Sequence, residues 1–343
     1  MSSSDLFIAN INYIKNMIEL LLNFNRTYNN SINVIKDVLR KKYPIDAVLK
    51  SGNQIRLANF NAALFIASIQ KQKEIEYDID KDTITIYSTS MLSDNKKGIK
   101  MIGGITNGDV VNVFLKNDYR DLPVKGKTVI DIGSNIGDSL LFFALGGADK
   151  IIGLEPFPKN YEKAKKNVEI NNFSDKITVL LAGCSATSGH TKVDPDYDSG
   201  VDSKLSAFDQ GVNVPLLTLK NILNNYNIPN ESILKMDCEG CEYETILTTS
   251  NEILERFSHI IIEYHYGYKN LKKKLEECGF KVYVKKPTAS GFVSSYLDVL
   301  RKKFSIKNFP TTHHNKTNLK TDEHVRVKKY NVEYVGLIHA LRK

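Results

Sequence analysis

Residues 129–155 read VIDIGSNIGDSLLFFALGGADKIIGLE, and this stretch decides the fold. A short apolar strand, Thr128 to Ile132, runs into a turn built from Asp131, Gly133, Ser134, Asn135 and Gly137. A helix follows, and then a second apolar strand, Ile151 to Leu154, that ends on Glu155. This order places a ligand turn and an acidic residue side by side at the carboxyl edge of a parallel sheet, the arrangement that holds an adenosine-containing cofactor. Glycines let backbone come close to a ligand where a Cβ would intrude. The helix opening after Gly137 points free N–H groups into the turn. Glu155 can accept from two vicinal ribose hydroxyls. The spacing is G-x-x-x-G, without the third glycine of the dinucleotide fingerprint. It therefore favours S-adenosylmethionine, which has no pyrophosphate to cradle.

Working outward, Pro123, Gly126 and Lys127 mark a boundary beyond which strands alternate with helices. Pro156 and Pro158 suit the start of a helix over Lys159–Asn171. Strands are expected at Ile177–Leu181, Ile233–Met236, His259–Tyr264 and Lys281–Lys285, with a last one at Val332–Leu341. Helices are expected at Leu219–Tyr226, Tyr243–Leu247 and Tyr268–Cys278. Near-continuous apolar runs such as HIIIEY, residues 259–264, fit strands covered on both faces. The pattern predicts a doubly wound α/β sheet over residues 123–343. Residues 184–213 read as an irregular polar segment. Residues 286–330 form a Lys-, Asn- and His-rich insertion, either a local subdomain or a lid.

Residues 1–122 read as an α+β accessory region. Phe7, Ile11, Ile14, Ile18 and Leu21, then Ile32, Ile35, Val38 and Leu39, recur at helical spacing, with a break at Asn29 and Asn30. Residues 46–117 read as short strands and turns, with a hairpin about Asp80–Asp82 in which Ile84 and Ile86 alternate.

The 343 residues suit one large or two modest domains, and an apolar fraction of 42% allows a real core. No apolar run is long enough to span a bilayer, and MSSSDLF lacks the features of a secretory leader. The expectation is a soluble, cytoplasmic protein. The net charge of +8 is mild and reads as a solvated surface, though it permits an anionic partner. The four cysteines, Cys184, Cys238, Cys241 and Cys278, are too few for a disulfide scaffold. Cys238-x-x-Cys241 reads as small apolar packing, since neither a thioredoxin-like context nor two further zinc ligands accompany it. No metal is expected. Asp194, Asp196 and Asp198 read as a solvated acidic loop.

Four blocks taken in order resemble a known family: VIDIGSNIGDSLLFFALGGADKIIGLEPFP from residue 129, NYEKAKKNVEINN from 160, ILKMDCEGCEYETIL from 233 and IIIEYH from 260. Together they are similar to the FkbM-like S-adenosylmethionine-dependent methyltransferases. The resemblance covers about residues 125–285 and resumes at 332–341. It implies a class I methyltransferase Rossmann-like sheet, order 3-2-1-4-5-7-6 with strand 7 antiparallel. It also implies methylation of a hydroxyl, often on a sugar or glycan.

On this reading the cofactor's methionine end lies over Asp131, Gly133, Ser134, Asn135 and Gly137, and Glu155 takes the ribose. Pro156 and Phe157 pack beside the adenine, and Ala182 and Gly183 flank its edge. Asp131 can reach the cofactor amino group, directly or through water, and can also anchor the turn; the two roles are compatible. Lys235, Asp237, Glu239 and Glu242 crowd charge into one turn. Asp237 and Glu239 orient or deprotonate the acceptor, or else form an ion-pair network that locks the turn. His265 is a base or a wall of the cleft. No [DN]-P-P-[YF] motif of base amino-methyltransferases follows the fourth strand. The alternative acceptor is tRNA, through Lys302, Lys303, Arg326 and their basic neighbours in the insertion. A non-catalytic binding module is a further alternative. Oligomeric state is not encoded in any of these features.

Overall fold

A computed structural model describes residues 18–69, 72, 74–87, 98–106, 108–115, 117–197, 211–265, 267–285 and 336–342. The chain divides into two units. The first comprises Met1–Gln70, His265–Gly267 and Lys286–Gly336, and the second Lys71–Tyr264, Tyr268–Lys285 and Leu337–Lys343. Residues 71–122, N-terminal to the boundary read at Pro123, thus group by their contacts with the second unit. The insertion at 286–330, and Phe7, Ile11 and Ile14, lie outside the described residues.

In the first unit, helical residues 18–27 precede the helix α1, Ser31–Leu39. The break at Asn29 and Asn30 has a physical cause. Asn30 donates from Nδ2 to the Asp46 carbonyl at 3.0 Å and accepts from the Val48 N–H at 2.9 Å, so it ties the interhelical turn to a strand. Strands β1, Ile45–Val48, and β2, Gln54–Leu57, pair antiparallel. Helix α2, Phe60–Ile69, follows. This corrects the expectation of strands and turns over 46–117. FNAALFIASI is apolar around most of its circumference, so it carries no helical stripe; it is simply buried. Tyr28 Oη donates to the Ala63 carbonyl at 2.7 Å inside this core.

The second unit opens with an antiparallel meander of β3, Ile75–Asp78, β4, Thr83–Ile86, and β5, Ile99–Ile102. The expected hairpin is there, with Ile84 and Ile86 fully buried. Residues 111–115 form a π-helical turn, a second departure from the all-strand expectation. Then come β6, Thr128–Ile132, helix α3, Asp138–Leu145, β7, Lys150–Glu155, helix α4, Pro158–Ile170, and β8, Ile177–Leu181. The segment expected to be irregular contributes a small sheet instead. Its strands are β9, Gly183–Cys184, β10, Gly189–Val193, and β11, Val212–Leu217, with β11 in the middle. Helix α5, Leu219–Asn225, leads to β12, Ser232–Met236, and helix α6, Cys241–Thr248. Helix α7, Asn251–Leu254, β13, Phe257–Tyr264, helix α8, Lys269–Glu277, β14, Lys281–Val284, and β15, Gly336–Leu341, complete the described elements.

The main sheet has seven strands in the order β14-β15-β13-β12-β6-β7-β8. Numbered along the sheet's own chain order, this is the expected 3-2-1-4-5-7-6. The pairs β7–β8, β6–β7, β6–β12 and β12–β13 are parallel, and β14–β15 is antiparallel. Every residue of β6 and β12 is buried, as a strand covered on both faces requires. The chain switches direction from β6 outward, toward β7 on one side and β12 on the other. That switch point opens a crevice at the carboxyl ends of the central strands.

Candidate functional site

The β6–α3 turn is held from both sides. The N–H groups of Gly133 and Ser134 both donate to the Leu154 carbonyl at 3.0 Å, and the Asp237 N–H donates to the Ile132 carbonyl at 2.9 Å. Gly133 has φ +81°, and a Cβ there would fall 1.8 Å from the Asp237 carbonyl oxygen. Its smallness therefore lets the β12–α6 loop lie against the turn, a use of glycine distinct from admitting a ligand.

Glu155 ends β7 with 4% exposure. Its Oε2 accepts from the Asn135 N–H at 2.9 Å, and its Oε1 accepts from the Phe157 N–H at 3.0 Å. Burial pushes its carboxyl up to about 7, against the pull of those backbone donors. Asn135 sits in the left-handed region at φ 45°, which an asparagine tolerates well. Its Nδ2 donates to Asp109 Oδ2 at 2.9 Å.

Beneath the turn, Lys235 Nζ lies 2.8 Å from Asp131 Oδ1, with side chains 3% and 0% exposed. Lys235 also donates to the Gly133 carbonyl at 2.8 Å, and Ser139 Oγ donates to Asp131 Oδ2 at 2.5 Å. Burial alone would lower the lysine, but the charges of Asp131 and Asp237 outweigh it and raise its pKa overall. These bonds tie Asp131 to β12 and to α3.

Above the turn lies a narrow cleft open to solvent. Gly133, Asn135 and Asp237, all expected at the site, line it. So do Asp138, Lys235 and Glu263, and residues that the sequence reading did not pick out, among them Asp109, Asn112, Asp118 and Tyr119. Burial, reinforced by Asp237, pushes Asp109 up to about 6 although Asn135 pulls it down. Burial and then Asp109 raise Asp138 well above its ordinary value. Burial and then Asp237 raise the Tyr119 phenol. Val110, Val113 and Phe114 are buried at helical spacing. That period, recognised in GDVVNVFL, would have put Asp109 and Asn112 together on a neighbouring face.

The other expected residues do not line this cleft. Phe157 is 7% exposed and packs in a cluster with Val193 and Val214, its ring 4.3 Å from that of Tyr197. Pro156 is half-buried; Ala182, just after β8, and Gly183, the first residue of β9, are buried. Ser134 is fully buried, and Gly137, at φ +85°, is the N-cap of α3. Glu239 is half-buried in the β12–α6 loop at φ 57°. His265 follows β13 directly, is 7% exposed, and belongs by its contacts to the first unit.

Cys238 and Cys241 form a disulfide, correcting the reading of both as packing residues. Glu239 and Gly240, at φ 57° and 124°, fold the loop back so that the two Cα atoms stand 5.5 Å apart. Glu242 braces the loop by accepting from the N–H groups of Cys238 and Gly240, both at 2.8 Å. Cys184 is a buried free thiol pushed up to about 12 by burial, as a packing role requires. Asp198 lies outside the described residues. No helix among the described residues is long and apolar enough to cross a membrane.

The donor set fits an adenosyl cofactor. Glu155 stands one strand from the turn, and Asn135 Oδ1 is a buried acceptor without a hydrogen-bond partner among the described residues.

Residues 131–282 match the family profile described as the methyltransferase FkbM domain, as the sequence blocks implied. The chain is 22% identical over 171 residues to the hexuronic acid methyltransferase AglP of Haloferax volcanii, covering 49% of this chain and 67% of that one. It is 34% identical over 90 residues to the ribosomal protein L11 methyltransferase of Carboxydothermus hydrogenoformans, covering 25% of this chain but only 30% of the relative. Among solved structures, it is similar to M. capricolum TrmK in complex with S-adenosyl-homocysteine. That likeness has 14% identity and a TM-score of 0.37, over 67% of this chain and 68% of the other.

Proposed function

On the premise that residues 131–282 match the methyltransferase FkbM domain, we propose that the chain transfers a methyl group from S-adenosylmethionine to a hydroxyl of a sugar, glycan or other small acceptor. The observation that carries this reading is the joining of Glu155 to the glycine turn through the Asn135 N–H, next to a carboxylate-lined cleft. The sequence similarity to a hexuronic acid methyltransferase supports a sugar acceptor.

The bound cofactor supplies an electrophilic methyl on a sulfonium. Glu155 receives the ribose hydroxyls, and Ser134 and Asn135 border the methionine end. Pro156, Phe157, Ala182 and Gly183 surround the adenine. The remaining work is alignment and removal of the acceptor's proton. Asp237, at the end of β12 and on the wall of the cleft, orients the hydroxyl and takes that proton. Glu239 and His265 are the other bases to test.

Two measurements test the reading. Calorimetry with S-adenosylhomocysteine and with NADH should show binding of the first alone, and Glu155→Ala should weaken it markedly. Incubation with methyl-labelled cofactor and separated glycan, lipid and tRNA fractions should label glycan. Label confined to tRNA would overturn the acceptor, and absence of S-adenosylhomocysteine binding would overturn the whole reading.

A further inference from the structure

We propose that Asp109 and the side-chain oxygen of Asn135 together hold the ammonium group of the cofactor's methionine end. The inference rests on the cofactor reading above and assigns a residue outside the 131–282 match.

The acid expected from sequence for this task, Asp131, is already committed. It is 0% exposed, with one oxygen on Lys235 and the other on Ser139. The Gly133 carbonyl, a main-chain acceptor in the turn, already takes a hydrogen bond from Lys235. A cation entering the cleft has to find its acceptors among the other lining residues.

Asp109 and Asn135 both line the cleft and are bonded to each other. The 2.9 Å bond from Asn135 Nδ2 to Asp109 fixes the amide orientation. It leaves Asn135 Oδ1 as a buried acceptor with no hydrogen-bond partner among the described residues. A buried acceptor of this kind costs free energy until a donor reaches it. An ammonium has three N–H groups, enough for Asp109 and Asn135 Oδ1 at once. It would also relieve Asp109, whose carboxyl is pushed up to about 6 by burial and by Asp237. The same Asn135 donates its backbone N–H to Glu155. One residue thus touches both the proposed ribose acid and the ammonium site, and this sets their spacing.

The test is calorimetric and needs no methyl acceptor. S-adenosylhomocysteine carries the ammonium; 5′-methylthioadenosine keeps the adenosine and lacks the amino-acid part. Asp109→Asn should weaken S-adenosylhomocysteine binding by roughly 10-fold or more, the scale of a charged hydrogen bond. It should leave 5′-methylthioadenosine binding unchanged. Asp109→Ser serves as a second variant if the first is poorly folded. If wild type binds both probes and either folded variant keeps the wild-type ratio of affinities, the assignment to Asp109 is wrong and the cofactor reading stands. If wild type binds neither probe, the cofactor reading itself fails.

Discussion

Lys235 and Asp131 face each other across the β12–β6 register, with their charged atoms 2.8 Å apart and both side chains almost wholly removed from water. The pair joins the two central strands directly beneath the site.

Removing one partner strands a buried charge, which typically costs about 3–5 kcal/mol. Lys235→Met should therefore destabilise the protein by that order in urea unfolding. Replacing both, as Lys235→Met with Asp131→Leu, should recover part of the loss, since the direct partner is removed with the lysine while Asp237 keeps its charge. A single variant within about 1 kcal/mol of wild type would deny the pair its structural role.

Gly133→Ala puts a methyl where the Asp237 carbonyl already lies, and at a φ of +81° that disfavours any side chain. Overpacking and backbone strain together should cost roughly 2–4 kcal/mol. Thermal unfolding monitored by circular dichroism should show the midpoint lowered by several degrees. An unchanged midpoint would mean that the β12–α6 loop does not rest on the turn.

Glu155 sits at about 7 and Asp109 at about 6 in the folded chain, both above their ordinary values. The folded state keeps protons that the unfolded chain has released, so stability falls as pH rises between about 4 and 7. Below that window both states are protonated and the contribution is constant; above it the loss is complete. Glu155→Gln should flatten the fall. Urea midpoints at a series of pH values would check this, the slope being the readout. An identical slope in wild type and variant would remove Glu155 as its source.

Under denaturing conditions without reductant, a thiol reagent should modify only Cys184 and Cys278; after reduction it should modify all four cysteines. The Cys238–Cys241 loop is short, so the chain-entropy contribution is only about 2 kcal/mol. The Cys238→Ser, Cys241→Ser double variant should fold with a loss of that order. Four modified cysteines in fresh, unreduced protein would show the bond to be absent.

Much of the central sheet was legible because its strands are covered on both faces. Runs such as HIIIEY leave no other arrangement, and the turn between Asp131 and Gly137 announces itself by its glycines. Helix α2 was illegible for the opposite reason: burial around most of its surface erases the period that marks a surface helix. The β10–β11 pair was missed because GHTKV is exposed at most positions and alternates weakly. In the site, Asn135 and Asp237 could be read from local motifs. Asp109 could not, because the bond that brings it to Asn135 spans 26 residues. The disulfide turns on the backbone angles of Glu239 and Gly240, which spacing alone does not fix.

The segment from Asp109 to Tyr119 and the strand residue Leu337 supply walls of the cleft, yet both lie beyond the ends of the 131–282 match. A trimmed fragment cut at those ends would keep the glycine turn and Glu155 but lose these walls and the first three residues of β6. Any transplant or minimal version of this enzyme-like core has to start upstream of residue 109 and retain β15.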